Sequence, residues 1–414
     1  MVNFLERISS FVWGKGLIFL LLFTGIIYTV KLGFIQLQTI PFLLKNARNN
    51  HKSSSGVSQW KTVCMSLGTA MGTGNITGVA ATVALGGPGA VFWMWVSALL
   101  GMAVVYAENS LSVTYSTKEI RGPMAYLLHG LGSPMLAGGF AVMCLAASLG
   151  MGGMIQVSSL MDCIKSTSDI SSIPAAAVIF VVIFLVTSGG ANRIGSAAQM
   201  LLPAASAIYG IMCIWVLVCC RNQLPEAFRM IFAQALGFEQ AASGGIGFII
   251  SVGIRRGIFS NEAGLGSSPV LHSAAESDSP HLQGMWSMFE VFFDTIICCT
   301  LTALVVICTQ GDGTASGAFS AVIGDFSGVL LSVSMAVFAF CTIIGWYYCG
   351  ETAWRFLSGK NNGKSFSVFF SATASLGAVI SLNTIWLVSD IFNGLMAFPN
   401  LIGLLLLIKK VKKE

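Results

Sequence analysis

Eleven apolar stretches divide the chain, at approximately 16–40, 62–84, 89–115, 136–162, 174–190, 196–219, 244–274, 284–309, 327–356, 366–384 and 386–408. Each is close to the roughly 20 mostly apolar residues that a helix needs to cross a bilayer. The polar residues between them fall in short runs. The pattern therefore predicts an all-α membrane protein, with residues 1–414 forming a single transmembrane domain and little sequence left for a soluble one. The first stretch follows a short charged segment, where a secretory signal would stand. It runs too long for a signal peptide and lacks a small-residue cleavage site, so it is assigned as a helix.

Composition agrees. Hydrophobic residues make up 55% of the chain and charged residues 9%, against about 25% charged in soluble domains. Such a chain cannot cover a water-facing surface, and its partner is the lipid bilayer. The eleven cysteines lie singly or as adjacent pairs inside apolar runs, with no C-x-x-C, and read as small hydrophobic filler. The net charge of +5 does not mark nucleic-acid binding, because the basic residues are scattered through the connecting loops.

Their distribution reports orientation instead. One set of loops holds fourteen: Lys45, Arg48, Lys52, Lys61, Lys118, Arg121, Arg193, Arg355, Lys360, Lys364, Lys409, Lys410, Lys412 and Lys413. The opposite set holds five: Arg7, Lys15, Lys165, Arg221 and Arg229. The excess places the N-terminus outside and the C-terminus in the cytoplasm. An odd number of crossings is needed for that.

Two of the apolar stretches are poor continuous helices. The second reads Gly68-Thr-Ala-Met-Gly72-Thr73-Gly74-Asn75-Ile76-Thr77-Gly78, and four glycines in eleven residues oppose uninterrupted helix. The seventh carries Arg255, Arg256, Ser260, Asn261 and Glu262 among Gly253, Gly257, Gly264 and Gly266, with polar groups at bilayer depth. Irregular backbone is tolerated there only inside protein or beside a wet cavity. Interrupted segments at corresponding places in two halves point to a transporter site between inverted repeats. With 16–40 set aside as an extra helix, ten crossings divide five and five, over 62–219 and 244–408, each half opening on a broken helix. Half-helix N-termini offer free N–H groups to an anion, and C-terminal carbonyls face a cation. An amino-acid carboxylate and a sodium ion fit that pairing.

At these residues the chain resembles the alanine/glycine:cation symporter family, the sodium:alanine symporters. The blocks that carry the resemblance are Gly72-Thr-Gly-Asn-Ile-Thr-Gly-Val-Ala80, Gly86-Gly-Pro-Gly-Ala-Val-Phe-Trp-Met-Trp95, Tyr106-Ala-Glu108, Arg256-Gly-Ile-Phe-Ser-Asn-Glu-Ala-Gly-Leu-Gly-Ser267 and Ile343-Ile-Gly-Trp-Tyr-Tyr348. The resemblance implies a leucine-transporter-like fold and sodium-coupled uptake of a small neutral amino acid, such as alanine or glycine, by alternating access. It also implies roles for single residues. Backbone N–H groups of Gly72, Thr73 and Gly74 would hold the substrate carboxylate. Gln156, Phe259, Asn261, Thr342 and Trp346 would complete the substrate pocket. Asn75 and the carbonyls of Gly68 and Met71 would be sodium ligands.

The chain departs from the family pattern at Arg121-Gly-Pro-Met-Ala125-Tyr126, in its compact outer loops, and at Glu290, where the pattern has a small residue. Glu108, Glu262, Glu290, Asp294 and Glu351 fall within or near crossings, where an ionisable group is costly and marks function or a structural partner. Glu262 is expected to pair with Arg255 or Arg256. Glu290 and Asp294, four residues apart, share a helix face.

Rival classes find less support. There is no H-E-x-x-H and no G-x-S-x-G for an intramembrane enzyme, and nothing repeats as a channel filter would. Gly359-Lys-Asn-Asn-Gly-Lys-Ser365 is one residue short of a phosphate loop and reads as a basic turn. Serine, glutamine, D-alanine and a transport-dead sensor of the same fold remain open alternatives.

Overall fold

The computed structural model describes residues 2–46, 57–165, 171–237, 245–275, 279–309, 313–360, 362–380 and 382–413. Arg48 and Lys52, counted for orientation, lie outside them. The described residues are helical throughout, apart from one isolated bridge between Val57 and Ala275.

The chain opens with α1 (Val2–Val12) and α2 (Lys15–Lys31). The stretch expected to run on to residue 40 stops at Gly33 and Phe34, both left-handed with φ near 58° and 56°, and a separate short helix, α3 (Thr39–Asn46), follows. The second stretch is broken as expected. It has α4 (Gln59–Ala70), a single 3₁₀ turn at Thr73–Asn75, and α5 (Thr77–Gly86). Continuous α6 (Gly89–Tyr115) comes next. Then α7 (Pro134–Ala147) passes through a π segment, Ser148–Met154, into α8 (Ile155–Lys165). Next are α9 (Ser172–Thr187), α10 (Gly190–Cys219) and a short α11 (Leu224–Leu236).

The second half repeats the interruption, with α12 (Gly245–Asn261) and α13 (Ser267–His272) separated by five residues in which Glu262, Gly264 and Gly266 take positive φ. Then α14 (Pro280–Val291) runs through a second π segment, Phe292–Cys299, into α15 (Thr300–Thr309). The chain ends with α16 (Ala315–Ile323), α17 (Phe326–Ser358), α18 (Gly363–Leu376) and α19 (Leu382–Leu406). Gly359, left-handed, ends α17, so the Gly359–Ser365 stretch is a helix-ending turn, though its residue 361 lies outside the described residues.

Seven helical stretches among the described residues are long and apolar enough to cross a bilayer: 4–31, 89–115, 134–162, 190–219, 280–309, 326–358 and 386–406. Of the other four sequence stretches, two are the broken pairs. The remaining two are α9 and α18, with 16 and 14 residues. Large apolar side chains such as Phe19, Val181, Trp215 and Leu406 are exposed, while Trp346, Tyr106 and Tyr209 are buried. An apolar exterior around an interior that also holds Glu108, Glu262, Glu290 and Asp294 is the arrangement of a multi-pass membrane protein. At its centre α6 packs against α12 and α14, and α17 packs against α4 and α10. Both broken helices are thereby held against long continuous ones.

Candidate functional site

The two breaks meet. A small cavity of about 30 Å³ lies between them, lined by Gly72, Gly74 and Asn75 from the first break, by Arg256, Phe259 and Ser260 from the end of α12, and by Glu262 from the second break. Met151 and Gln156 enter from the π segment and α8, and Thr342 and Trp346 from α17. The cavity has room for about two or three water-sized groups. Its tightness has a backbone cause: a Cβ on Gly72 would lie 3.3 Å from Thr342 Oγ1 and 3.4 Å from Gln156 Oε1, so any side chain there would fill it. A Cβ on Gly152, in the π segment, would come within 2.1 Å of Trp346 Cβ. That glycine is what lets the indole reach the site.

Six of the eight residues expected at the substrate line this cavity: Gly72, Gly74, Gln156, Phe259, Thr342 and Trp346. Thr73 instead faces a much larger open vestibule of about 970 Å³, with Thr77, Asp162 and Asp325 on its wall. Asn261 turns away, to a water-sized inner cavity that it shares with Ser66, Glu262, Glu290 and Asp294. The Gly72 N–H already bonds to the Ala70 carbonyl at 3.0 Å.

The candidate sodium ligands separate into two places. Thr342 Oγ1 lies 3.0 Å from the Gly68 carbonyl, 3.4 Å from that of Met71 and 3.0 Å from that of Phe338. One hydroxyl proton cannot serve three carbonyls, so oxygens converge there with too few donors. Asn75 lies apart. Its Nδ2 donates to Asp294 Oδ1 at 2.5 Å, and its Oδ1 is buried without a partner among the described residues. Gln156 Oε1 is likewise a buried, unpartnered acceptor. Leaving such a group unsatisfied costs about 1–3 kcal/mol, and both residues line the same cavity.

The buried acids do not pair as the sequence suggested. Glu262 accepts from Ser267 Oγ, five residues on, rather than from an arginine. Arg255 pairs with Asp390 at 3.0 Å, and Arg256 donates to the Gly74 carbonyl across the two breaks. Glu290 and Asp294 border one inner cavity but share no hydrogen-bond partner. Asp294 is held by Asn75, Ser260 and Thr295. Glu290 accepts from Ser66 Oγ at 2.6 Å and faces His272 Nε2 at 2.7 Å. Glu351 pairs with Arg355 at 2.6 Å, and Glu108 accepts from Asn400. Arg256, Glu262, Ser260, Asp294 and Met151 are site residues that motif reading did not assign. Arg256, Ser260 and Glu262 were signalled by their place in the second broken stretch, and Glu262 and Asp294 by being ionisable within crossings, whereas Met151 carried no signal.

The profile of the sodium:alanine symporter family matches residues 1–414. The sodium/alanine symporter AgcS of Methanococcus maripaludis is 37% identical, over all of this chain and 96% of its own length. The probable sodium/glutamine symporter GlnT of Bacillus subtilis is 32% identical, over 99% of this chain and 90% of its own. A crystal structure of MhsT in complex with L-phenylalanine shares the fold, with a TM-score of 0.61 and 15% identity over 86% of this chain and 90% of MhsT. The chain is a membrane transporter of leucine-transporter-like fold, not an enzyme, and it belongs to the sodium:alanine symporter family.

Proposed function

We propose that the protein imports a small neutral amino acid, with alanine or glycine the best fit, together with sodium and by alternating access. The observation that carries this reading is the small cavity between the two helix breaks. It presents two unpartnered buried acceptors, Asn75 Oδ1 and Gln156 Oε1. An ammonium group suits Gln156 Oε1. A sodium ion, which takes oxygen ligands, suits Asn75 Oδ1 and separately the Gly68–Met71–Thr342 oxygens. Phe259 and Trp346 leave little room for a side chain, which favours alanine or glycine over the glutamine named for one relative.

In this reading the chain crosses the membrane eleven times, as one extra helix, α2, followed by inverted five-helix repeats over 62–219 and 244–408. The N-terminus is outside and the C-terminus cytoplasmic. The far end of α5 and the start of α17 are then extracellular, so the vestibule of about 970 Å³ opens outward. The opposite approach is sealed by Ser66, Glu290 and His272, and by a reciprocal pair of amide hydrogen bonds between Gln59 and Gln283. Purified protein in vesicles should accumulate labelled alanine or glycine only with an inward sodium gradient. Equal uptake in potassium alone would remove the sodium coupling, and no flux of any amino acid would leave a sensor.

A further inference from the structure

Arg256 is a permanent cation that borders the cavity and makes no direct ion pair among the described residues. Ion pairs in the described residues involve Arg229, Arg255, His272 and Arg355, not Arg256. Its guanidinium donates to the Gly74 carbonyl and lies over the Phe259 ring, 5.4 Å from the centroid. Its Nε is buried with no acceptor. The nearby carboxylates take neutral donors and do not bond to the guanidinium: Asp294 takes three side-chain donors and Glu262 takes Ser267.

The backbone makes room for this side chain. A Cβ on Gly74 would lie 2.5 Å from Arg256 Nη2, and one on Gly78 would lie 2.3 Å from Arg256 Cζ. Two glycines of the first break thus form a slot for an arginine of the second. The neighbouring Arg255 has a structural position, paired with Asp390 at 3.0 Å and over the Trp13 ring at 5.5 Å. Arg256 has no carboxylate at ion-pair distance among the described residues. The guanidinium is left with an unpartnered Nε among the described residues, and its fork matches a carboxylate.

We propose that Arg256 is the receptor for the substrate's carboxylate and makes the transporter require one. An α-amino acid would lie with its carboxylate against Arg256 at the Gly74 end of the cavity and its ammonium toward Gln156 Oε1. This deepens the transport reading and rests on it for the identity of the ligand, but its test needs only binding. The full chain in detergent with sodium is titrated with L-alanine, glycine and L-alaninamide, which keeps the ammonium and methyl groups but not the negative charge. Thermal stabilisation reports affinity.

Wild type should prefer alanine to alaninamide by at least about tenfold. Arg256→Gln should weaken alanine by about ten- to a hundredfold, the worth of a charge-assisted hydrogen bond, and leave alaninamide unchanged, so the preference collapses. Arg256→Lys keeps the charge and loses the fork, and should fall between. Should the glutamine variant fail to fold, the lysine variant decides alone, because a full wild-type preference in it overturns the proposal. An equal loss for both ligands in Arg256→Gln also overturns it, since that is what a purely structural arginine would give. Wild type that binds alanine but carries none across vesicles keeps this role for Arg256 and removes transport. Wild type stabilised by neither amino acid overturns both.

Discussion

Thr342 and Trp346 lie four residues apart on α17, and both reach the cavity. Their tasks differ in a way that spacing does not encode. The Thr342 hydroxyl points at the carbonyls of Gly68 and Met71, while the fully buried Trp346 ring closes the substrate space. Trp346→Ala should therefore widen the cavity, so that leucine or methionine competes with alanine for uptake. Unchanged selectivity would show that the ring does not bound the substrate. Gly152→Ala should be worse for stability, because the new methyl meets Trp346 in α17 at 2.1 Å. A loss of about 1–3 kcal/mol, the usual cost of overpacking, should appear as a lower unfolding temperature. A sodium-ligand role for Asn75 came only from the family resemblance. That its amide is fixed by Asp294, 219 residues away, leaves no trace in local pattern.

The two broken helices were legible at the scale of elements, because clustered glycines and polar groups at bilayer depth oppose a continuous helix. What the breaks do to each other was not, since Arg256 reaches Gly74 only once α12 lies against α5. The two π segments were also invisible, as no composition distinguishes an extra backbone residue in a turn. Glu290 shows the same limit. Helix periodicity set it one turn before Asp294, which lies in the π segment after α14, but its oxygens go to α4 and α13, through Ser66 and His272. It therefore ties three elements together on the sealed side. Glu290→Ala would strand two buried donors, Ser66 Oγ and a ring nitrogen of His272, at about 1–3 kcal/mol each. Glu290→Gln keeps an acceptor for one of them. The alanine variant should thus unfold at a clearly lower temperature than the glutamine variant. Equal unfolding temperatures for wild type and Glu290→Ala would mean that the seal does not depend on this residue.

For the whole molecule, the proposed orientation rests on lysine and arginine placement alone, with residues such as Lys45, Lys61, Arg193, Arg355 and Lys364 lying toward helix ends. The structure adds an asymmetry the sequence lacks: a wide vestibule reaches Thr73 and Thr77 from one side, and hydrogen-bonded side chains close the other. Combining the two, the proposal is an outward-open protein, and each half of it can fail separately. A cysteine at Thr77, which is exposed, should react with a membrane-impermeant thiol reagent added outside intact cells, with Cys219 and Cys220 replaced by serine as background. A cysteine at Ser66, which is buried in the seal, should not react. Labelling of Thr77→Cys only in inside-out vesicles would reverse the orientation and keep the vestibule. Labelling of Ser66→Cys but not Thr77→Cys in right-side-out cells would mean that the open side and the sealed side have been exchanged. Sodium with alanine should slow the reaction at Thr77→Cys, because filling the cavity between the breaks favours closure of the vestibule above it. Sodium or alanine alone should slow it less, since each leaves one set of the unpartnered oxygens unfilled.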